Sequence, residues 1–282
     1  MNNEKKKRAD KFVSPFFIII MDARKNRVFA NGVPRESFPW WEFEGKALKK
    51  KENYMDISKR LELVAGLVSN EIIADIGTDH GYVPIYLYKK GKIKKAYACD
   101  VRKGPLEKCR QNIALYGAED VIETRLGSGL IPLKPGEAET AIMAGMGGML
   151  IVHILEDSPE VADSLQELVL SPQRDFHEVR RYLHKIGFSI KEEHMLKEDN
   201  KPYVLMRCEK GEETYDREID YLYGKLLLEK KDPVLKELIL HEEGKYSRLF
   251  ENLKCNPTEN ARKRLPEVEE KLALMREALA CL

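Results

Sequence analysis

From Ile57 onward, the chain alternates short apolar runs with longer segments whose apolar residues recur at helical spacing. The first run, residues 72–76, is apolar apart from Asp75 and ends in a glycine turn, which is typical of a strand buried on both faces. Repeated strand–helix units indicate a mostly parallel sheet with helices on both faces and right-handed crossovers. Similar runs predict further strands over residues 96–101, 121–126, 140–144 and 168–170, with helices over 83–90, 104–116, 148–155 and 177–186.

The pattern changes towards the end of the chain. Residues 188–194 and 202–207 predict two strands joined by a polar loop, so that the last strand runs antiparallel and the hairpin closes the sheet with an antiparallel edge. After Gly211 only helical spacing remains, and two helices are expected to start at Asp232-Pro233 and Asn256-Pro257, where a capping residue precedes a proline. Their narrow apolar stripes predict an antiparallel helical hairpin or a coiled coil.

Charge is divided unevenly along the chain, although the net charge is only +1. Residues 1–54 contain 13 Lys/Arg and 7 Asp/Glu, a net of +6, and the remainder carries a net of −5. Any surface for a polyanion in the main body must therefore be a local patch. We divide the chain into an extension of unknown role (1–54), an α/β domain (55–211) and a helical domain (212–282).

Residues 1–54 have no place in the strand–helix alternation. The basic segment Lys5–Arg8 and the apolar segment after it imitate a secretory signal, but Pro15 interrupts the apolar run and no small-residue cleavage site follows. The alternatives are a strand-like or disordered extension, or a biological start at Met55. No apolar run is long enough to span a bilayer, and the five cysteines form no CxxC pair. We expect a cytoplasmic protein without a membrane segment or a bound metal.

The main chemical signal is the loop Asp75-Ile76-Gly77-Thr78-Asp79-His80-Gly81, between the first strand and a helix. Asp100 ends the next strand, where a carboxylate can accept both ribose hydroxyls of a nucleoside cofactor. Nicotinamide enzymes share this spacing, but Asp79 would repel a pyrophosphate, whereas S-adenosylmethionine has no phosphate and carries an ammonium group. The loop therefore favours S-adenosylmethionine, and the alternative is a simple tight turn.

Two glycine-rich loops follow the third and fourth strands, where a cofactor and a substrate should meet. In Leu126–Leu130 (LGSGL), Ser128 could reach the edge of an adenine. In Ala144–Gly148 (AGMGG), three glycines leave a floor with little side chain, which suits a flat base close to a methyl donor. The alternative for AGMGG is a loop that only caps a helix.

These segments together resemble the bacterial tRNA (adenine-22-N1)-methyltransferases. The resemblance covers roughly residues 55–255. S-P-Q-R-D-F (171–176) matches that family only loosely, the acidic residue expected after Tyr203 is missing, and residues 1–54 have no counterpart. The matching segments are I-S-K-R-L (57–61), A-D-I-G-T-D-H-G-Y-V-P-I-Y-L (74–87), R-L-G-S-G-L (125–130), A-G-M-G-G-M-L-I (144–151) and Y-G-K-L-L-L-E-K-K-D-P-V (223–234).

The resemblance implies a Rossmann-like class I methyltransferase sheet with a C-terminal coiled-coil domain, and transfer of a methyl group from S-adenosylmethionine to N1 of a tRNA adenine. The product is cationic until N6 loses a proton, so a nearby negative charge is useful. Asp79, with His80 beside it, is the candidate catalytic residue. Asp79 could instead bind only the cofactor ammonium or cap the helix, and His80 could be a packed ring.

The remaining candidates line the cofactor and the RNA. The residues expected at the cofactor are Asp75, Gly77, Asp79, Gly81, Asp100, Val101, Gly127, Ser128, Gly129, Ala144, Gly145 and Met146. Those expected at the substrate are Gly147, Gly148, Tyr203, Arg174, Arg180, Arg181 and Lys185, with Lys245, Arg248, Lys254, Arg262, Lys263 and Arg264 of the tail as phosphate contacts. The alternative for the basic residues of the predicted helix is an ordinary solvated face, and for the tail a role in dimerisation or in covering an apolar face. The competing hypotheses are a methyltransferase acting on another RNA, a protein or a small molecule, and a non-catalytic RNA-binding scaffold.

Overall fold

The computed structural model describes residues 20–22, 27–29 and 55–282. The chain divides into two units, Met1–Asn53 and Tyr54–Leu282. In the first unit, strands β1 (Ile20–Asp22) and β2 (Arg27–Phe29) pair antiparallel. The basic segment and the proline of the signal-like sequence lie outside the described residues.

The second unit follows the predicted strand–helix order. A short helix, α5, was not predicted from the sequence. The strands are β3 (Ile72–Ile76), β4 (Lys95–Asp100), β5 (Ile122–Leu126), β6 (Thr140–Ala144), β7 (Glu167–Ser171), β8 (Phe188–Glu198) and β9 (Lys201–Lys210). The helices are α1 (Lys59–Leu67), α2 (Tyr82–Lys89), α3 (Lys103–Tyr116), α4 (Gly148–Glu156), α5 (Pro159–Ser164), α6 (Phe176–Lys185), α7 (Lys225–Glu229), α8 (Pro233–Cys255) and α9 (Glu259–Cys281), with a π-helical turn at Asp220–Gly224.

The sheet of the second unit has the order β5-β4-β3-β6-β7-β9-β8. β9 runs antiparallel to both of its neighbours, and the other adjacent pairs are parallel. The expected antiparallel last strand and antiparallel edge are confirmed: β9 is inserted next to β7, and β8 forms the edge. The strand order reverses between β3 and β6, and in open α/β sheets a ligand crevice forms at such a point, outside the carboxyl ends of the strands.

Both faces of the sheet are covered, which explains the continuous apolar runs. In β3, Ile73 packs into the core on one face, whereas Ala74 and Ile76 pack into the core on the other. The second of these cores also contains Leu235 of α8 and Met275 of α9. The helical tail is thus packed onto the sheet as part of its core. Among the described residues, no helix combines the length and apolarity needed to cross a bilayer.

Helices α8 and α9 form an antiparallel hairpin, as the apolar stripes predict. Lys236 Nζ near the start of α8 donates a hydrogen bond to the carbonyl of Leu282 at the end of the chain, at 3.2 Å. Farther along, Lys271 Nζ donates to the hydroxyl of Tyr246 at 2.8 Å. The residue numbers run in opposite directions along the two helices, so their connection lies at the far end of the hairpin, around residues 256–258.

One of the two predicted helix starts is confirmed, and the other is wrong. Asp232 caps α8 as expected, because its carboxylate accepts the backbone N–H groups of Val234 and Leu235. The expected cap at Asn256-Pro257 is wrong: Thr258 caps α9, with its hydroxyl accepting the N–H of Ala261 at 3.2 Å. Threonine is also among the residues favoured at this capping position.

Candidate active site

The loop after β3 is held against β4 by its own backbone. The N–H groups of Gly77 and Thr78 both donate to the carbonyl of Cys99, at 2.9 and 3.0 Å. The chain then reverses direction through left-handed conformations at Gly77 (φ 73°), Asp79 (φ 50°) and Gly81 (φ 74°). Aspartate tolerates this region better than most residues, and glycine adopts it freely. The loop is therefore a fixed cradle that begins at the carboxyl end of the sheet.

Asp100 lies at the floor of this cradle and is almost fully buried. Its two carboxylate oxygens accept the backbone N–H groups of Asp79 at 3.3 Å and Arg102 at 2.8 Å. Each carboxylate oxygen can accept a further hydrogen bond. The side chain is thus fixed in place with acceptor capacity left for the two hydroxyls of a ribose, as its position in the sequence predicts.

Asp75 is also buried, and its carboxylate accepts a hydrogen bond from the hydroxyl of Thr78 at 2.6 Å. Burial raises the pKa of the Asp75 carboxyl to about 6, because desolvation disfavours the charged form; the Thr78 bond lowers it and the charge of Asp100 raises it slightly. A cation placed near this carboxylate would restore its charged form. Asp75 thus shapes the loop and favours a cationic ligand.

Asp79 and His80, the candidate catalytic pair, lie side by side. Asp79 Oδ2 is 3.5 Å from Nε2 of His80, and about half of the Asp79 side chain is exposed. The His80 ring stacks on Tyr82 with ring centres 5.3 Å apart, and its carbonyl accepts a hydrogen bond from Nδ2 of Asn112. The histidine is therefore oriented by its neighbours, while the Asp79 carboxylate remains accessible.

The loop after β5 lies against the same floor, since the N–H of Gly127 donates to the carbonyl of Asp100 at 3.0 Å. A side chain at Gly127 would collide with Pro132, because a Cβ there would lie 2.6 Å from Cγ of the proline. Ser128 is exposed, and Gly129 adopts a left-handed conformation with φ 53°. The glycines are required by the close packing of this loop.

Three apolar side chains are exposed where β4 and β5 end: Val101, Leu126 and Ile131, at 64%, 47% and 63%. An adenine ring needs an apolar surface of this kind, and Val101 was expected at the cofactor. The sequence interpretation missed Leu126 and Ile131. Their signal is an apolar residue at the start of the LGSGL loop and another directly after it, which is recognisable only once the loop is placed next to Asp100.

The AGMGG loop after β6 closes over the β3 loop. Ala144 ends the strand, and the N–H of Gly145 donates to the carbonyl of Ser171 at 3.0 Å. The methyl carbon of Met146 lies 3.2 Å from the position that a Cβ on Gly77 would take. A side chain at Gly77 would therefore press on Met146. The two glycine-containing loops meet at the switch point of the sheet.

The last two glycines of this loop face different surroundings. A Cβ at Gly147 would meet only the side chain of Arg174, with Nε 3.2 Å away, and most of that side chain is exposed. A Cβ at Gly148 would lie 2.5 Å from the carbonyl oxygen of Arg174 and 2.7 Å from that of Asp175. Gly147 and Arg174 thus form part of an open rim, whereas Gly148 is buried in the packing of α4 against the next loop. The expected substrate contact at Gly148 is corrected to a packing role.

One of the three basic residues of α6 that were expected at the RNA is buried, whereas the other two are exposed. Arg180 is 1% exposed, and its guanidinium bonds to Glu193 at 2.9 Å and to the carbonyl of Tyr221 at 2.6 Å. A tRNA cannot reach it, so this expectation is wrong. Arg181 is paired with Glu218. Lys185 is exposed, but it lies at the C-terminal end of α6. That end is roughly 14 Å along the helix axis from Phe176, where the helix begins next to the rim residue Arg174.

The residues of this edge fit S-adenosylmethionine. Asp100 offers acceptors for a ribose, the exposed apolar side chains offer a surface for adenine, and Asp75 and Asp79 favour the cationic ammonium group. The same three carboxylates disfavour the pyrophosphate of a dinucleotide. Among the described residues, no three His, Cys, Asp or Glu side chains group together as metal ligands.

Comparison with known proteins identifies relatives of this chain. Residues 57–206 match the family described as "Methyltransferase domain". The tRNA (adenine(22)-N(1))-methyltransferase of Bacillus subtilis (strain 168) is 31% identical over 238 residues, which cover 80% of this chain and 98% of that protein.

Two solved structures are similar over the same extent. The crystal structure of the B. subtilis m1A22 tRNA methyltransferase TrmK superposes with a TM-score of 0.74 at 30% identity, covering 80% of this chain and 99% of that one. TrmK of M. capricolum, in complex with its cofactor product S-adenosyl-homocysteine, superposes with a TM-score of 0.71 at 26% identity, covering 80% and 98%.

Proposed function

The chain belongs to the family of bacterial tRNA (adenine-22-N1)-methyltransferases, and on that premise we propose that it methylates N1 of adenine 22 in tRNA. It is a methyltransferase, and its cofactor is S-adenosylmethionine. The observation that carries the choice of substrate is the extent of the match. The match covers 80% of the 282 residues, which is more than the 211 that precede the helical domain, so the likeness includes part of that domain as well as the sheet.

N1 of adenine has a free lone pair, so the methyl acceptor needs no strong base to activate it. The cofactor supplies an electrophilic methyl group on a sulfonium. Methylation leaves a positive charge on the base until N6 loses a proton, and a negative charge held near the ring stabilises that cation. The residues that matter are therefore those that exclude water, hold the ring and supply this charge.

The structure offers Asp79 for the last of these tasks. Its carboxylate is accessible, while its backbone is fixed in the β3 loop by the bond from its N–H to Asp100. His80 lies 3.5 Å from that carboxylate, within reach of a proton released beside it. In our proposal Asp79 stabilises the methylated base, and His80 orients Asp79 or receives the proton from N6.

The floor of the base pocket is assigned to Gly145 and Gly147, and its rim to Arg174 and Tyr203. Gly147 lies beside the exposed Arg174 side chain, which can contact a phosphate next to the target base. Tyr203 is half-buried and can stack on a base.

The far end of the helical hairpin supplies a second surface for tRNA. Residues 245–264 contain six Lys/Arg and two Glu, a net of +4, whereas the chain after residue 54 is acidic overall. Arg248, Arg262 and Arg264 are exposed there. We assign this basic tip to phosphate contacts, because a local patch of this sign is what a polyanion requires on an acidic body.

The test is methyl transfer to two tRNA transcripts that differ only at position 22. With labelled S-adenosylmethionine, the transcript with adenine should accept one methyl group, detected as 1-methyladenine after digestion, and the transcript with guanine should accept none. Equal labelling of both would place the target elsewhere in the RNA. A protein that binds the cofactor but labels neither transcript nor bulk tRNA would support the small-molecule, protein or scaffold alternatives.

A further inference from the structure

Arg60 on α1 has a buried guanidinium nitrogen without a hydrogen-bond acceptor. Its Nη1 is inaccessible to solvent and has no hydrogen-bond partner among the described residues. Its guanidinium carbon lies 5.1 Å from the centre of the Tyr203 ring. The Glu198 carboxylate accepts the backbone N–H of Arg60 at 3.3 Å, but no carboxylate of the described residues pairs with the guanidinium. A buried donor left unpaired is costly, and a buried charged donor more so.

A second unpaired polar atom lies beside the same loop. Ser171 is 1% exposed, and its hydroxyl has no hydrogen-bond partner in the described chain. Its carbonyl, in contrast, accepts the N–H of Gly145. Arg60 Nη1 lies 3.9 Å from the position that a Cβ on Gly145 would take. Arg60 Nη1 thus lies beside Gly145, and Ser171 is bonded to the same residue through its carbonyl, at the point where the AGMGG loop meets the carboxyl edge of the sheet.

Arg60 is positively charged, whereas the neighbouring β3 loop and the end of β4 carry carboxylates. Asp75, Asp79 and Asp100 make the β3–β4 side of the edge negative, which repels an anionic group. Arginine is suited to binding carboxylates and phosphates, because its planar guanidinium presents several N–H donors in a fixed geometry. An anion that enters beside Gly145 would satisfy Arg60 Nη1 and give the partly buried guanidinium a counter-charge.

We propose that Arg60 is the oxyanion-binding residue of this site, donating Nη1–H to an oxygen of a bound ligand, with the Ser171 hydroxyl as a second donor. The inference rests on the proposed function, since the ligands of that reaction supply the oxyanion. Two of their groups have the required chemistry: the α-carboxylate of S-adenosylmethionine and a phosphate that flanks the target adenine.

Three variants separate these sources: Arg60→Gln, Arg60→Lys and, as the matched control, Lys59→Gln. Lys59 precedes Arg60 on the same helix and is exposed, so its replacement removes the same charge without touching the site. Calorimetry measures the affinity for S-adenosylmethionine and for its decarboxylated analogue. Filter binding at several salt concentrations measures the affinity for a tRNA transcript.

If the ligand is the carboxylate, Arg60→Gln weakens S-adenosylmethionine binding by about 10- to 100-fold, the loss expected for one charged hydrogen bond, and leaves the decarboxylated analogue unaffected. If it is the phosphate, cofactor affinity is unchanged, while tRNA affinity falls and its salt slope decreases by roughly 0.7–0.9. Arg60→Lys retains part of the binding in either case. Lys59→Gln changes neither the affinity for S-adenosylmethionine nor that for its decarboxylated analogue.

The proposal is overturned if Arg60→Gln behaves like Lys59→Gln, or if it weakens S-adenosylmethionine and the decarboxylated analogue equally, which would indicate a packing role. Should Arg60→Gln not fold, Ser171→Ala is the second variant. It removes an unpaired hydroxyl, so it should fold normally and weaken the same ligand several-fold; unchanged binding of both ligands would contradict the proposal. Cofactor binding requires no methyl transfer, so a wild-type protein that fails to methylate adenine 22 contradicts the proposed function alone.

Discussion

The two halves of the carboxyl edge are built differently. On the side of β3, β4 and β5, the carboxylates of Asp75 and Asp100 already have hydrogen-bond donors from the loop itself. On the side of β6, β7 and β9, Arg60 Nη1 and Ser171 Oγ are buried without partners. We call these two regions the cofactor half and the substrate half.

The difference concerns how much of each site exists before a ligand arrives. The cofactor half is organised in advance, so little ordering is needed when a small ligand binds. The substrate half retains unsatisfied donors and an exposed Arg174, so part of its structure is completed by the groups that it binds. Apart from Arg60 and Ser171, whose ligand is either the cofactor carboxylate or an RNA phosphate, mutations in the two halves should therefore affect different measurements, and the following predictions test that separation.

Asp100→Ala should have the largest effect and should act on the cofactor half. The loss of two charge-assisted bonds to a ribose costs on the order of 2–4 kcal/mol, which corresponds to roughly 30- to 1000-fold in the dissociation constant for S-adenosylmethionine. Calorimetry checks this, with the exposed Asp120→Ala as the control. An unchanged constant would remove Asp100 from the site.

Gly147→Val should act on the substrate half alone. Gly147 has φ −68°, which valine can adopt, and its Cβ would meet only the exposed Arg174 side chain. A branched side chain on the pocket floor should displace the base and lower kcat/KM for tRNA by about a hundredfold, with cofactor affinity nearly unchanged. Normal methylation by this variant would show that AGMGG has only a structural role.

Replacing Arg262, Lys263 and Arg264 by Gln at the hairpin tip should weaken tRNA binding without changing cofactor binding. Three lost phosphate contacts should weaken tRNA binding by one to two orders of magnitude and reduce the salt slope by roughly 2–3. Filter binding measures both quantities, and cofactor affinity is the internal control. Deleting the whole of residues 212–282 is a poorer test, because it would uncover the core that Leu235 and Met275 complete.

Lowering the pH should weaken cofactor binding through Asp75. In the free protein its carboxyl has a pKa of about 6, so it is protonated below that pH, whereas a bound cation favours the charged form. Binding then releases a proton, and affinity should fall by up to about tenfold per pH unit below 6. Asp75→Asn should remove this dependence; a variant with the same pH profile as the wild type would place the titrating group elsewhere.

Asp75 also makes a prediction for stability in the absence of cofactor. Its folded pKa is raised above the ordinary 3.8, so its contribution to stability is fully present below about pH 4 and is lost as the pH rises through 6. Thermal unfolding of wild type and Asp75→Asn across that range should therefore converge at low pH, where both side chains are neutral.

Starting the chain at Met55 should have the smallest effect. Neither half of the edge includes a residue before Arg60, so cofactor affinity and tRNA methylation should stay within about twofold, well under one ordinary hydrogen bond. An insoluble or inactive shortened protein would show that residues 1–54 belong to the fold.

The cofactor half was predictable because its signals are local. A polar residue that directly follows a buried apolar run, such as Asp100, must lie at the carboxyl edge of a parallel sheet, and neighbouring edges must converge. The sequence interpretation failed where long-range pairing decides. Arg180 and Arg181 look alike in the sequence, yet one faces Glu193 in the interior. The position of β9 inside the sheet depends on strand pairing that alternation of polarity does not encode.

The role of Arg60 could not be predicted from the sequence either. It lies in the I-S-K-R-L segment, which matches the methyltransferase family but gives no sign in the sequence of a ligand-binding role. Arg60 stands out because its Nη1 has no hydrogen-bond acceptor, and this can be recognised only when the positions of all neighbouring residues are known. Leu126 and Ile131 were missed for a related reason, since a lone exposed apolar residue gains meaning only from the cavity beside it.

If the basic tip contacts tRNA phosphates as proposed, the length of α8 makes this protein a bivalent binder. Twenty-three residues of helix extend about 34 Å from Pro233 to Cys255, so the basic tip and the root of the hairpin are separated by that distance. One molecule must be long enough to occupy both the tip and the pocket, and each attachment then raises the effective concentration of the other. A free nucleoside or a short hairpin RNA gains nothing from the tip and loses this avidity. The proposed contacts at the tip would therefore select RNA by size, before any base is recognised.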